Sequence, residues 1–157
     1  MQLISDRPST ELIVIHHTQH TARSSPTLDQ LVQQHMLTHM ATPRGSKVGF
    51  HYYIDESGTT WRGRHIDEPS LMVQGANHRS VSVLLSCVLD GADSYTMEAF
   101  TESQLEMLEV LLRGLMHKYP VARIIDHHTI NPRRTSVAID VDSWLEAKGI
   151  GRPPWAT

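Results

Sequence analysis

The chain has 157 residues, 39% hydrophobic and 20% charged, enough for one folded domain with a substantial core. Its formal charge of −3 supplies neither the basic face of a nucleic-acid binder nor a general attraction to anionic membrane or wall, so binding must be local and specific. The single Cys87 excludes an internal disulfide framework, no apolar run reaches membrane-spanning length, and "MQLISDRPSTE" shows no leader pattern, so cytoplasmic synthesis without a signal peptide is expected.

The first element is Leu12-Ile13-Val14-Ile15, a short β-branched run that predicts a buried strand ending at His16. "SPTLDQLVQQHMLTHM" predicts a helix, with Thr27 and Gln30 at capping-box spacing and Leu28, Leu31, Val32 and Met36 on one stripe. "KVGFHYYIDESGTTWRGR" predicts a hairpin around Glu56-Ser57-Gly58. Ser80 to Leu89, apolar almost throughout, predicts a central strand. "TESQLEMLEVLLRGLMHKY" predicts a helix, capped by Thr101 and Gln104, with Leu105, Leu108, Leu112, Leu115 and Tyr119 at helical spacing. "VARIIDHH" reads as another strand. Asp140 or Asp142 then caps a short helix holding Trp144 and Leu145, and "GIGRPPWAT" reads as a loose tail. This β-α-β-β-β-α-β-α order implies an α/β fold. It is a single domain over residues 1–150 with a tail at 151–157, and its mixed central sheet is flanked by about three helices.

Histidine is the anomaly. There are eleven, and two adjacent pairs, His16-His17 and His127-His128, each close an apolar run. Functional groups in α/β sheets gather where strands end, so His16 and His127 could converge as metal-binding imidazoles. Successive strand residues point to opposite faces, so one histidine of each pair would face the site. The alternative, four ordinary strand-end histidines, is weakened by the matching contexts of the two pairs. A zinc site needs a further donor, and the loop after His128 offers Arg133, Arg134, Thr135 and Ser136.

Other groups have plainer readings. Cys87 inside "LLSCVL" reads as a small core residue. Asp140 and Asp142 read as helix caps, and His20 as a solvated loop histidine. His51 should face away from Phe50 and pack or hydrogen-bond rather than bind metal. Trp61, Arg62 and Arg64 close the hairpin, and an aromatic with two arginines on a strand reads by itself as surface packing. Met36, Met40, Met72, Met107 and Met116 read as gap-filling residues.

Several of these segments together resemble the zinc-dependent N-acetylmuramoyl-L-alanine amidases, which include amidase-type phage lysozymes and the animal peptidoglycan-recognition proteins. "IVIHHT" is similar to the first metal motif. "VGFHYYIDESGTTWRGR" is similar to the hairpin with its Asp-x-x-Gly-Thr turn and Gly-Arg ending. "NHRSVSVLL" is similar to the Asn-x-x-Ser strand entry, and "HHTINP" to the second metal motif. They occur in the family's order over residues 12 to 146.

The resemblance implies that His16 and His127 are zinc ligands, and that the third, usually Cys or Asp, falls at Ser136 counting back from Asp140, or at Thr135 counting forward from His127. A neutral hydroxyl is a poor zinc donor, so zinc is expected to be weakly held or absent. The tyrosine that assists the metal-bound water in one branch is replaced by Phe50. The glutamate of another branch is Leu84, and the groove histidine is Met72. Arg133 or Arg134 takes the place of the lysine that steadies the oxyanion. Trp61, Arg64, His78 and Met72 would line the muropeptide groove.

The expected function is therefore peptidoglycan-fragment binding with reduced or lost hydrolysis. An active amidase or endolysin cleaving the muramoyl–L-alanine amide, and a protein-binding regulator on the same fold, are the alternatives. A monomer without nucleic-acid or membrane partners is expected, reaching the wall by release in a phage setting.

Overall fold

The computed structural model describes residues 6–18, 27, 29–31, 48–87, 100–127 and 141–151. Within these, five strands form one sheet in the order β3-β2-β4-β1-β5. They are β1 (Leu12–His17), β2 (Tyr52–Ile54), β3 (Thr60–Arg62), β4 (Ser80–Leu85) and β5 (Arg123–Asp126). β2 and β3 pair antiparallel, and β1–β4, β1–β5 and β2–β4 pair parallel, giving the mixed sheet that the element order implies. The two central strands are β-branched and buried on both faces, as parallel strands must be.

Strand alternation divides the core. Ile13, Ile15, Val81, Val83, Leu85 and Ile124 point to one face, where helices α1 (Glu102–Lys118) and α2 (Val141–Lys148) cover them with Leu108, Leu112, Leu115 and Leu145. The other face presents Val14, Tyr53, Leu84 and Ile125, packed under Val73, Ala76 and Phe50 in two smaller clusters. His16 belongs to this second face.

Both predicted capping boxes form. Thr101 Oγ1 accepts from Gln104 N at 3.1 Å while Thr101 N donates to Gln104 Oε1 at 2.8 Å. Thr27 and Gln30 exchange the same bonds at 3.1 and 2.9 Å, opening the helical residues 29–31; the rest of that predicted helix lies outside the described residues. Gln104 also reaches across the sheet end. Its fully buried amide donates to Ser86 O and Ser86 Oγ, both at 2.9 Å, tying α1 to the end of β4.

The hairpin is fixed by its own sequence. Asp55 Oδ1 accepts from Ser57 N, Ser57 Oγ and Thr59 N, and Oδ2 accepts from Trp61 Nε1 at 3.0 Å. Partial burial pushes the Asp55 carboxyl up, but these bonds outweigh it and hold it below its ordinary value. Gly58 has φ +84°, and a Cβ there would lie 2.7 Å from Ser103 O, so the turn needs glycine both for its conformation and for its approach to α1.

At the end of the described chain, Ile150 is buried in the main core, and a Cβ on Gly151 would meet Ile124 Cδ1 at 2.9 Å. Residues 152–157 lie outside the described residues.

Candidate functional site

β1 and β5 run parallel, with Ile15 opposite Asp126, so the residues that follow on each strand meet at the same sheet end. His16 and His127 converge there. Their Nδ1 atoms are 3.0 Å apart, with ring centroids 4.5 Å apart and planes at 67°. Both residues are buried, at 1% and 8% exposure. Zinc–nitrogen bonds of about 2.05 Å in a tetrahedral site place two nitrogens about 3.3 Å apart, so the pair fits two corners of a metal site after a small adjustment. Among the described residues no group of three His, Cys, Asp or Glu side chains could complete it. Ser136 and Thr135, the positions expected to supply the third donor, lie outside the described residues, as do Arg133, Arg134, Asp140, His20, Met36 and Met40.

Behind His16 stands a polar network that sequence reasoning missed. His16 Nε2 lies 3.1 Å from Ser82 Oγ, which lies 2.6 Å from Ser70 Oγ. Both serines are fully buried. Ser82 is held in turn by His51, whose backbone N donates to Ser82 O at 3.0 Å and whose Nδ1 accepts from Ser82 N at 3.0 Å. His51 Nε2 donates to Glu68 O at 2.8 Å, which fixes the ring as the Nε2–H tautomer. Burial, opposed by that bond and reinforced by the nearby Arg7 and Arg64 charges, lowers the His51 pKa to about 3. His51 thus hydrogen-bonds rather than facing a metal. The signal in the sequence was a serine inside the otherwise apolar "VSVLL".

A row of residues crosses the sheet on the His16 face. His16 pairs with Leu84, Leu84 with Tyr53, and Tyr53 with Trp61. Three strand spacings of about 4.8 Å put Trp61 about 14 Å from His16. Trp61 is 41% exposed at the open end of this row, and His78 is exposed in the short 3-10 turn Asn77–Arg79 before β4. Arg64 is placed differently from expectation. Its side chain is buried, with Nε donating to Pro69 O at 2.8 Å, Nη1 to Val48 O at 3.0 Å and Nη2 to Glu68 Oε2 at 3.2 Å. A guanidinium so engaged is a scaffold group rather than a groove contact. Gly63 lets it enter: a Cβ there would lie 2.3 Å from Phe50 O.

Cys87 packs against the core on the helix face, and burial pushes its thiol up, so it acts as the small core residue that its sequence context predicts.

The family model described as N-acetylmuramoyl-L-alanine amidase matches residues 6–138. The chain belongs to the N-acetylmuramoyl-L-alanine amidase family. Curated relatives of this amidase-family chain include an endolysin of Enterobacteria phage K11, 35% identical over 63% of this chain and 64% of the relative. The endolysin of Escherichia phage T7 is 31% identical over the same shares. The chain therefore spans just under two thirds of those relatives' length. Among solved structures, the Ph2119 endolysin from a Thermus scotoductus bacteriophage superposes with a TM-score of 0.69 at 17% identity, covering 94% of this chain and 90% of that one. Human PGRP-IβC in complex with glycosamyl muramyl pentapeptide superposes at 0.58 and 16% identity, covering 80% and 74%. These likenesses establish the amidase and peptidoglycan-recognition fold.

In this amidase-family chain, the three positions that the resemblance assigns to tyrosine, glutamate and histidine lie close together. Phe50 and Leu84 are buried in one apolar cluster with Leu31, Val48 and Tyr53, and Met72 packs against it. The cluster adjoins the histidine pair, since Leu84 is the strand partner of His16.

Proposed function

We propose that this amidase-family chain binds muropeptide segments of peptidoglycan along the His16–Trp61 row, with zinc-driven amide hydrolysis lost or strongly reduced. The observation carrying this reading is the shared apolar packing of Phe50, Leu84 and Met72 beside His16. A bound zinc would lower the pKa of a water and polarise the amide carbonyl. In this chain His16 and His127 would hold the ion, with Ser136 or Thr135 at the third position. Phe50 and Leu84 have no group that can accept or return a proton, so general acid–base assistance has no residue at either position. Arg133 and Arg134 keep the capacity to pair with carboxylate or oxyanion groups of the ligand.

Binding makes fewer demands. It needs a shaped face, an aromatic surface and a few polar contacts, and the exposed Trp61 ring supplies the aromatic surface at the far end of the row. The endolysin relatives and the recognition protein solved with a muramyl pentapeptide support peptidoglycan as the ligand class. A working amidase is the second reading, favoured by the 3.0 Å approach of the two Nδ1 atoms.

Sedimentation with purified peptidoglycan tests the binding reading. Wild type should co-sediment at low salt and Trp61→Ala should do so less. Wild type remaining in the supernatant would turn the account toward a protein partner.

A further inference from the structure

We propose that Ser82, backed by Ser70, is a positioning residue for His16: it accepts the Nε2 proton and so keeps the lone pair on Nδ1, the nitrogen that faces His127. The geometry is specific. His16 Nε2 is 3.1 Å from Ser82 Oγ, and Ser82 Oγ is 2.6 Å from Ser70 Oγ. A hydroxyl has one proton and two lone pairs. Ser70 Oγ accepts from Met72 N at 3.0 Å and can donate to Gly49 O at 3.5 Å, leaving it able to accept from Ser82. Each proton then has a place: His16 Nε2–H donates to Ser82, Ser82 O–H to Ser70, and Ser70 O–H to the Gly49 carbonyl. Reversing the chain would put the proton on His16 Nδ1, the nitrogen needed for ligation.

The serine hydroxyl is itself held in place. The His51 backbone and ring together bind both main-chain groups of Ser82, and all four residues of the network, His16, His51, Ser70 and Ser82, are buried to 1% exposure or less. A metal-binding imidazole usually donates its second N–H to a carboxylate, carbonyl or water, and that outer partner sets both ring orientation and basicity. Here a neutral hydroxyl fills the role. It adds no negative charge to the pair, so it fixes geometry without raising ligand basicity as a carboxylate would. The arrangement orients His16 whether or not a metal is present.

The decisive readout is the ring tautomer, read from long-range ¹H–¹⁵N correlations of the metal-free protein at about pH 8, with zinc affinity by calorimetry on the same samples. Wild-type His16 should be the Nε2–H tautomer. Ser82→Ala should mix the tautomers and lower zinc affinity about tenfold or more, whereas Ser82→Thr, which keeps the hydroxyl, should retain the wild-type tautomer. A loss of packing alone would not move the tautomer. An Nδ1–H tautomer in wild type overturns the proposal, and so does Ser82→Ala with unchanged tautomer or unchanged zinc affinity. If Ser82→Ala does not fold, the wild-type and Ser82→Thr tautomers decide it.

Discussion

His16 Nδ1 and His127 Nδ1 face each other across 3.0 Å at the end of two parallel strands. Two imidazoles alone make a weak zinc site, and a hydroxyl from Ser136 or Thr135 would add little. Protein purified without added metal should therefore lose its zinc on dialysis against a mild chelator. Near-stoichiometric zinc after that dialysis, measured by atomic emission, would mean that a stronger third donor reaches the pair.

Restoring the donor tests the register of the loop. Ser136→Cys should raise zinc affinity sharply, because thiolate is a strong zinc donor, while Thr135→Cys should not. Turnover should need Phe50→Tyr as well, giving activity in the double variant that neither single change gives. The Phe50 side chain is fully buried, so its new hydroxyl must find a partner, and Phe50→Tyr should cost about 1–3 kcal/mol in urea unfolding. Zinc gain in Thr135→Cys alone would place the loop one residue out of the proposed register.

Arg64 makes the opposite case, a residue that looked like a ligand contact and is scaffold. Arg64→Ala removes the buried 3.2 Å ion pair to Glu68 and strips a donor from the carbonyls of Val48 and Pro69. The expected loss is about 3–5 kcal/mol, read by chemical denaturation. A loss below about 1 kcal/mol, as for an exposed pair, would show that the guanidinium is not the anchor described.

The contrast between Arg64 and the capping boxes shows which features were legible in the sequence. Thr101 with Gln104, the Asp55 turn and the β1 and β4 strands depend on neighbours a few residues away, so spacing reveals them. The convergence of His16 and His127 was readable because both end apolar strands. Arg64 was misjudged because its partners, Val48 O, Glu68 and Pro69 O, are set by how the chain folds back around Gly63. Ser82 and Ser70 escaped notice for a similar reason. A buried serine acquires meaning only from the strand register that brings it to His16.

His51 gives the fold a pH dependence of known sign. Its pKa is about 3 when folded, against an ordinary 6.5 unfolded, so the unfolded chain binds the extra proton between those values. Its contribution is fully present above about pH 6.5 and is lost as pH falls toward 3, on the order of 5 kcal/mol in all. Urea unfolding from pH 8 to pH 4 should show wild type losing stability more steeply below pH 6.5 than His51→Gln. Equal slopes would mean that the ring is not held neutral by burial.

The central claim is binding without hydrolysis, and one assay addresses it directly. Purified peptidoglycan is incubated with wild-type protein and added zinc, and the bound fraction and the newly released L-alanine amino ends are measured in the same tube. The account predicts protein in the pellet and amino ends at the level of the protein-free control. Sustained release of amino ends, at a rate matching the Ser136→Cys/Phe50→Tyr double variant, would contradict it and show that other residues perform the chemistry.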